Sequence, residues 1–244
     1  MKRFSLFAAA LLLSLGVSST VFADVNVSFN VLGGLGWAPN GNMDDSVSWY
    51  GNDRATYYNT TYSTSVFKEE NDGAGVAYGI DFEPRILFEN FAIGVSIGYH
   101  VGGESTSTAK ASGYTNEQSL SLKLKSTPYL GTLYYKRNLS GDSFLLIGGG
   151  IGYYKSTMVV TEEASGFASG NFENEYEFTG STIGYHARVE ANIQVGMVDI
   201  IVGLMVRYAK IDTFSNNGNT LTYNGDNVEG NFSGILCYLG AGLM

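Results

Sequence analysis

The 244-residue sequence holds a single cysteine, Cys237, and only three prolines. One thiol excludes an intramolecular disulfide, so packing and hydrogen bonds must hold the fold. Charged residues make up 15% of the chain, where an ordinary soluble domain carries about 25%. Basic residues are scarcest: 14 Lys and Arg stand against 23 Asp and Glu, a formal net charge of −9. That balance argues against a nucleic-acid partner, which needs basic patches. Beyond the N-terminal segment no apolar run reaches the roughly 18 residues of a membrane helix. A mean hydropathy of +0.01 is also too polar for a helical membrane bundle.

Glycine is abundant, at 32 positions, and so are rings, with 17 Tyr and 14 Phe. So many aromatics argue against disorder. Apolar and polar residues are finely interleaved, which is how a transmembrane β-barrel reads. The N-terminus adds an export signal: Lys2 and Arg3, an apolar stretch from Phe7 to Val17, and small residues Val21 and Ala23 before a cleavage point. Residues 1–23 are expected to be a cleaved signal peptide and residues 24–244 the barrel domain. Asp24 rather than Cys follows the cut, so a lipid anchor is not indicated.

Period-2 alternation recurs in eight runs of the exported chain, which start near Val25, Val76, Phe91, Leu120, Leu145, Ile183, Ile200 and Ser233. In the clearest, Ile183, Tyr185, Ala187, Val189, Ala191 and Ile193 oppose Gly184, His186, Arg188, Glu190 and Asn192. The fourth sets Leu120, Leu122 and Leu124 against Ser121, Lys123 and Lys125, with the leucines read as the apolar face. The connections alternate long and short. The long ones are Ala38–Gly73, Gly102–Gln118, Ser156–Gly180 and Ile211–Asn231; the short ones lie near Leu87–Asn90, Arg137–Asp142 and Gln194–Met197. An outer-membrane barrel has this rhythm of long extracellular loops and short periplasmic turns. The fold class is thus an all-β, transmembrane, antiparallel up-and-down barrel of eight strands.

Aromatic placement agrees. Trp37, Tyr78, Tyr99, Tyr153, Tyr185 and Tyr208 all fall on apolar faces at strand ends nearest a long connection. Phe82, Phe91 and Tyr134 mark the opposite end. Two such girdles are expected where rings settle at the lipid–water boundary. With the segments GGGIGYYKS (Gly148–Ser156) and YLGAGLM (Tyr238–Met244), the exported chain resembles the small outer-membrane β-barrel family of OmpA- and OmpX-like proteins. That resemblance implies an outer-membrane location in a Gram-negative-type bacterium. The chain closes on Met244 where that family usually closes on an aromatic residue.

The inward faces carry Asp81, Glu83, Arg85, His100, His186, Arg188, Glu190 and Arg207. An eight-stranded barrel is only wide enough inside for side chains, so these charges must pair into a polar plug. No cofactor, metal site or catalytic residue is expected: neither histidine has a ligand-like or nucleophilic neighbour in sequence. The long connections hold 16 acidic residues and 3 basic ones, which concentrates the negative charge outside. In the third, Glu173, Glu175 and Glu177 interleave with Phe172, Tyr176 and Phe178, so the strands beside it are expected to continue as a hairpin above the membrane. Outer-membrane lipids are the expected surroundings. Divalent cations or a basic partner on a host surface are the candidates for the loops. The leading function is a structural or surface-interaction protein. Its competitors are a lipid-modifying enzyme and, if Arg54–Phe67 adds two strands to make ten, a narrow channel.

Overall fold

The computed structural model describes residues 25–39, 41–61, 67–111, 115–139, 141, 143–167 and 170–243. The expected signal peptide and Met244 lie outside the described residues. Eight strands form the wall: β1 (Asn26–Trp37), β3 (Val76–Leu87), β4 (Phe91–Ala111), β5 (Glu117–Asn138), β6 (Phe144–Ser165), β7 (Phe172–Val195), β8 (Val198–Tyr208) and β15 (Gly234–Leu243). Each pairs antiparallel with the next in chain order, and β1 pairs with β15 across Phe29↔Leu243 to Trp37↔Ile235. The ring is closed, so no wall strand is left with a bare edge at membrane level.

The two faces of the wall follow from the alternation. Val27, Phe29, Val31, Ile80, Val95, Ile151, Ile183 and Leu239 are exposed on the outside. Each such side chain left in water would forfeit about 1.5–3 kcal/mol relative to an apolar environment. A band of them around a closed barrel marks a surface made for lipid. The connection at the opposite end is a tight turn: β7 and β8 are joined through Gly196, whose φ of 68° is a left-handed conformation that glycine adopts without a Cβ clash.

The long connections are more structured than the sequence indicated. β4 to β7 run 21 to 24 residues, about twice the length of β1 and β3, because they continue past the lipid band. The β6–β7 ladder holds register to Ala164↔Phe172, as the expected hairpin requires. The first connection is not a loop. It contains helix α1 (Met43–Thr61) and strand β2 (Phe67–Ala74), which pairs with the outer part of β4 from Phe67↔Ala111 to Ala74↔Glu104. The ten-strand alternative fails on this point, because Arg54–Thr61 is helical and β2 joins the extension, not the ring. The fourth connection folds into two-residue ladders: β9 (Lys210–Ile211) with β14 (Gly230–Asn231), β10 (Ser215–Asn216) with β11 (Asn219–Thr220), and β12 (Thr222–Tyr223) with β13 (Asp226–Asn227).

Two face assignments need correction. Leu122 and Leu124 are buried inside, so the lysines of β5 face outward and the leucines inward. Above the lipid band the inner face is the apolar one, because a folded cap covers it. Tyr134 is likewise fully buried inside, and Tyr135 takes the outer position expected of it. Among the described residues three apolar clusters result. The largest joins Met43 and Val47 of α1 to Leu122, Leu124, Met158, Phe214, Val228 and Phe232, and continues into the barrel through Leu32, Met205 and Leu236. The second, Leu87, Ala92, Tyr134, Phe144 and Leu146, fills the end with short turns. The third holds the far end of α1, with Ala55 and Tyr58 against Phe67, Ala109 and Ala111.

Candidate functional site: a charged barrel interior beneath an acidic cap

Even-spaced polar residues on β3 and β7 bring the charges together across the lumen. Arg85 forks onto Glu190, with Nη2–Oε2 at 3.1 Å and Nη1 bonded to Oε1, and its Nε donates to Glu83 Oε1 at 3.1 Å. Arg188 Nη1 donates to Glu83 Oε2, and Arg188 Nη2 lies 3.8 Å from Asp81 Oδ2. Asp81 in turn is 3.0 Å from His100 Nε2. Arg207 Nη1 bonds to His100 Nδ1, and its Nε donates to the Phe232 carbonyl at 2.5 Å. A guanidinium only donates, so Nδ1 of His100 must accept and Nε2 carries the hydrogen toward Asp81. His186 stands apart, with Nε2 2.8 Å from the Thr132 hydroxyl.

Seven of the eight expected interior residues therefore form one continuous chain of contacts, and all eight are buried. The chain balances three carboxylates against three guanidinium groups, which lowers the cost of removing each from water. Sequence reasoning missed the neutral partners. Tyr134 Oη donates to Glu83 and Tyr238 Oη to Glu190, both at 2.6 Å. The Arg85 guanidinium also lies over the Tyr134 ring, at 5.0 Å. Tyr134, expected in the girdle near the short turns, faces the lumen instead, and Tyr238 takes an inward position on a strand whose sequence pattern points only to its outer face. A cavity of about 10 Å³ remains beside Asp81, His100, Arg188 and Tyr238. That space suits a single water.

The cap closes the outer mouth. Gly51 of α1 packs so near β4 that a Cβ there would lie 2.1 Å from Ser107 Oγ. Asn42 ties the cap together, donating to the Asn227 carbonyl at 2.9 Å and accepting from the Glu229 amide at 2.7 Å. Tyr50 Oη donates to Glu162, while Gln118 Nε2 donates to Tyr50 Oη at 2.7 Å and to Glu162 at 3.0 Å. Burial, reinforced by the Glu162 carboxylate, raises the Tyr50 pKa well above the ordinary tyrosine range. Several cap acids thus serve as internal ties: Asp44 accepts from Ser105, Glu69 from Ser107, and Glu104 pairs with Lys123 at 2.8 Å. The Lys123 bond holds the Glu104 carboxyl below its usual range.

The acids left facing solvent concentrate on the β6–β7 hairpin. Glu163 lies opposite Glu173, and Glu173, Glu175 and Glu177 follow one another along one face. Phe172 and Tyr176 are exposed on the other face. Asn216 Nδ2 donates to the Glu177 carbonyl and Thr179 pairs with Ser215, so odd-numbered residues aim their main chain at the side away from β6. Among the described residues no strand pairs with that side between Phe172 and Phe178. Among them, too, no three His, Cys, Asp or Glu side chains converge as metal ligands. The six expected girdle residues, Trp37, Tyr78, Tyr99, Tyr153, Tyr185 and Tyr208, are all exposed on the outer wall. They run in adjacent registers, with Tyr185 directly opposite Tyr208 and Leu35 opposite Tyr78.

No protein-family model and no curated relative matches the sequence. Among solved structures the chain is similar to Neisserial surface protein A, at 10% identity and a TM-score of 0.38, over 90% of this chain and 97% of that one. It is also similar to Ail, the attachment invasion locus protein of Yersinia pestis, solved in complex with the heparin analogue sucrose octasulfate. Here identity is 11% and the TM-score 0.34, over 89% of this chain and 97% of that one.

Proposed function

We propose that the chain is an outer-membrane surface protein of a Gram-negative-type bacterium, exported by residues 1–23. It anchors an acidic, folded cap in the outer leaflet and carries out no chemistry of its own. The observation that carries this reading is the pairing of a closed, lipid-faced wall with a filled interior and a cap whose uncommitted acids gather on one hairpin. The interior acts as a structural plug: its charges are spent on one another, and the cavity of about 10 Å³ beside Asp81 and His100 has room for a single water. Trp37, Tyr78, Tyr99, Tyr153, Tyr185 and Tyr208 act as the outer girdle, their rings bridging hydrocarbon and headgroups. Both histidines are enclosed beneath the cap, which argues against a lipid-modifying active site, since a substrate must reach its catalytic groups.

The hairpin fits a basic partner. Glu163, Glu173, Glu175 and Glu177 supply the field, Phe172 and Tyr176 apolar area, and the open side of β7 free main-chain groups. A basic partner is favoured over divalent cations because these acids are spread along two strands and do not converge. The test is Glu163→Gln, Glu173→Gln, Glu175→Gln and Glu177→Gln together, assayed for binding to a surface coated with polylysine. Binding should fall at least about fivefold, and salt should weaken wild-type binding. Equal binding by the variant would remove the hairpin from the account.

A further inference from the structure

The corrected orientation of β5 places lysines on the outer wall directly above the lipid band. Lys125 lies opposite Thr157, and Lys155 opposite Thr127, so the two lysines are diagonal neighbours on one face. Cβ atoms in such a pair lie about 7 Å apart or less, within reach of one tetrahedral anion. Among the described side chains the other cations of the outer side are already engaged: Lys123 with Glu104, Lys110 with Glu117, Lys210 with Asp212 and Glu229, and Arg54 with Asp53. Lys125 and Lys155 have no carboxylate within ion-pairing distance among the described residues. Their flanking positions are hydroxyls, Thr127, Thr157 and, opposite Lys155, Ser181.

Height decides what such a site meets. Lys155 lies two residues beyond Tyr153 and Lys125 four beyond Tyr129, and the two tyrosine rings stand 6.4 Å apart on the outer wall. At about 3.3 Å per residue and a strand tilt near 40°, the backbone at Lys155 and Lys125 lies about 5 and 10 Å above those rings, and the flexible Lys125 side chain can reach back several ångströms toward the membrane. A headgroup layer is about 5–8 Å thick on each side of the hydrocarbon. We propose that Lys125 and Lys155, with Thr127, Thr157 and Ser181, bind the phosphorylated headgroup of an outer-leaflet lipid, whose acyl chains lie against Tyr129 and Tyr153. The inference rests on the membrane placement given above. It assigns the β5–β6 face a lipid site while the cap above it stays acidic. One molecule thereby presents opposite charges to the membrane and to its exterior.

The experiment titrates the full chain in a neutral detergent with diphosphoryl lipid A, and separately with the same lipid after removal of its phosphates, reading bound lipid by native mass spectrometry. Each lysine near an anionic lipid surface contributes about a five- to sixfold factor in affinity. Lys125→Ala with Lys155→Ala should therefore weaken binding about 30-fold, as should dephosphorylation in the wild type. Lys110→Ala with Lys210→Ala, an equal charge change elsewhere, should alter it less than threefold. Millimolar inorganic phosphate should not displace the lipid, because the tyrosine contacts belong to its chains. Equal binding by the Lys125/Lys155 variant, equal binding of the dephosphorylated lipid, or displacement by inorganic phosphate would each overturn the assignment. Failure of the barrel reading itself would register separately, as wild-type protein whose gel mobility does not change on boiling.

Discussion

Arg188 is the residue on which the interior depends most, and its replacement by leucine tests the pairing scheme. The guanidinium bonds to Glu83, approaches Asp81 at 3.8 Å and lies over the Tyr238 ring at 5.8 Å. Leucine fills part of the volume but leaves Glu83 and Asp81 with one cationic partner fewer. Breaking a buried pair from one side costs about 3–5 kcal/mol. Glu83 keeps Arg85 at 3.1 Å and the Tyr134 hydroxyl at 2.6 Å, so the lower end, about 3 kcal/mol, is expected. Against a total stability of about 5–15 kcal/mol such a loss is large. The assay is urea unfolding of protein folded into lipid vesicles, followed by tryptophan fluorescence. Adding Glu83→Gln to Arg188→Leu should recover about half of the loss or more, because the orphaned charge is then gone. A single-variant loss below about 0.5 kcal/mol, or no recovery in the double variant, would refute the scheme.

Further expectations follow from the cap and the seam. Deleting residues 43–61 should leave the boiled-versus-unboiled gel shift intact and produce no conductance in planar bilayers, because the charged interior blocks the lumen without the cap. A steady conductance would place the seal in α1 instead. Gly36 stands where a Cβ would lie 1.9 Å from the Ile235 carbonyl. Gly36→Ala should therefore destabilise the β1–β15 closure by about 1–3 kcal/mol in the same unfolding assay. Tyr50 has a folded pKa raised above its unfolded value, so docking of α1 is fully supported below about pH 10 and weakens as pH rises beyond it. The protection of α1 amides, taken relative to the intrinsic exchange rate at each pH, should fall above that pH in the wild type, and Tyr50→Phe should remove that fall.

The wall was legible in the sequence because lipid on one side and packing on the other impose a period of two that little else produces. Strands such as Ile183–Ile193 show it in nearly every residue. Identifying which residues line the lumen was also within reach, since the inward charges of β3 and β7 share that period. Their partners were not, because pairing across the lumen depends on how far each strand is staggered, and alternation does not encode stagger. The cap was hidden for a different reason. Above the membrane the outer face meets water and the inner face meets α1, so β5 turns its leucines inward and reverses the rule that holds below. Helix α1 itself is rich in Asp, Thr and Tyr, and its buried stripe, Met43, Val47, Gly51 and Ala55 with Ser46 beside it, carries few large apolar side chains. That four-residue spacing, together with Asp44 and Asp45 in the first turn, is the signal that identifies it.

The chain has two tryptophans, and they divide the molecule at the membrane surface. Trp37 is exposed on the outer wall in register with Val76 and Ile235, whereas Trp49 is exposed on the cap, 6.2 Å from the Tyr223 ring. The most direct test uses Trp49→Phe and Trp37→Phe, each leaving one reporter, folded into vesicles whose acyl chains are brominated. Trp37 alone should be strongly quenched by the brominated lipid and little by aqueous acrylamide, and Trp49 alone should show the reverse. Acrylamide quenching of Trp37 with no effect of brominated lipid would contradict the lipid-facing wall.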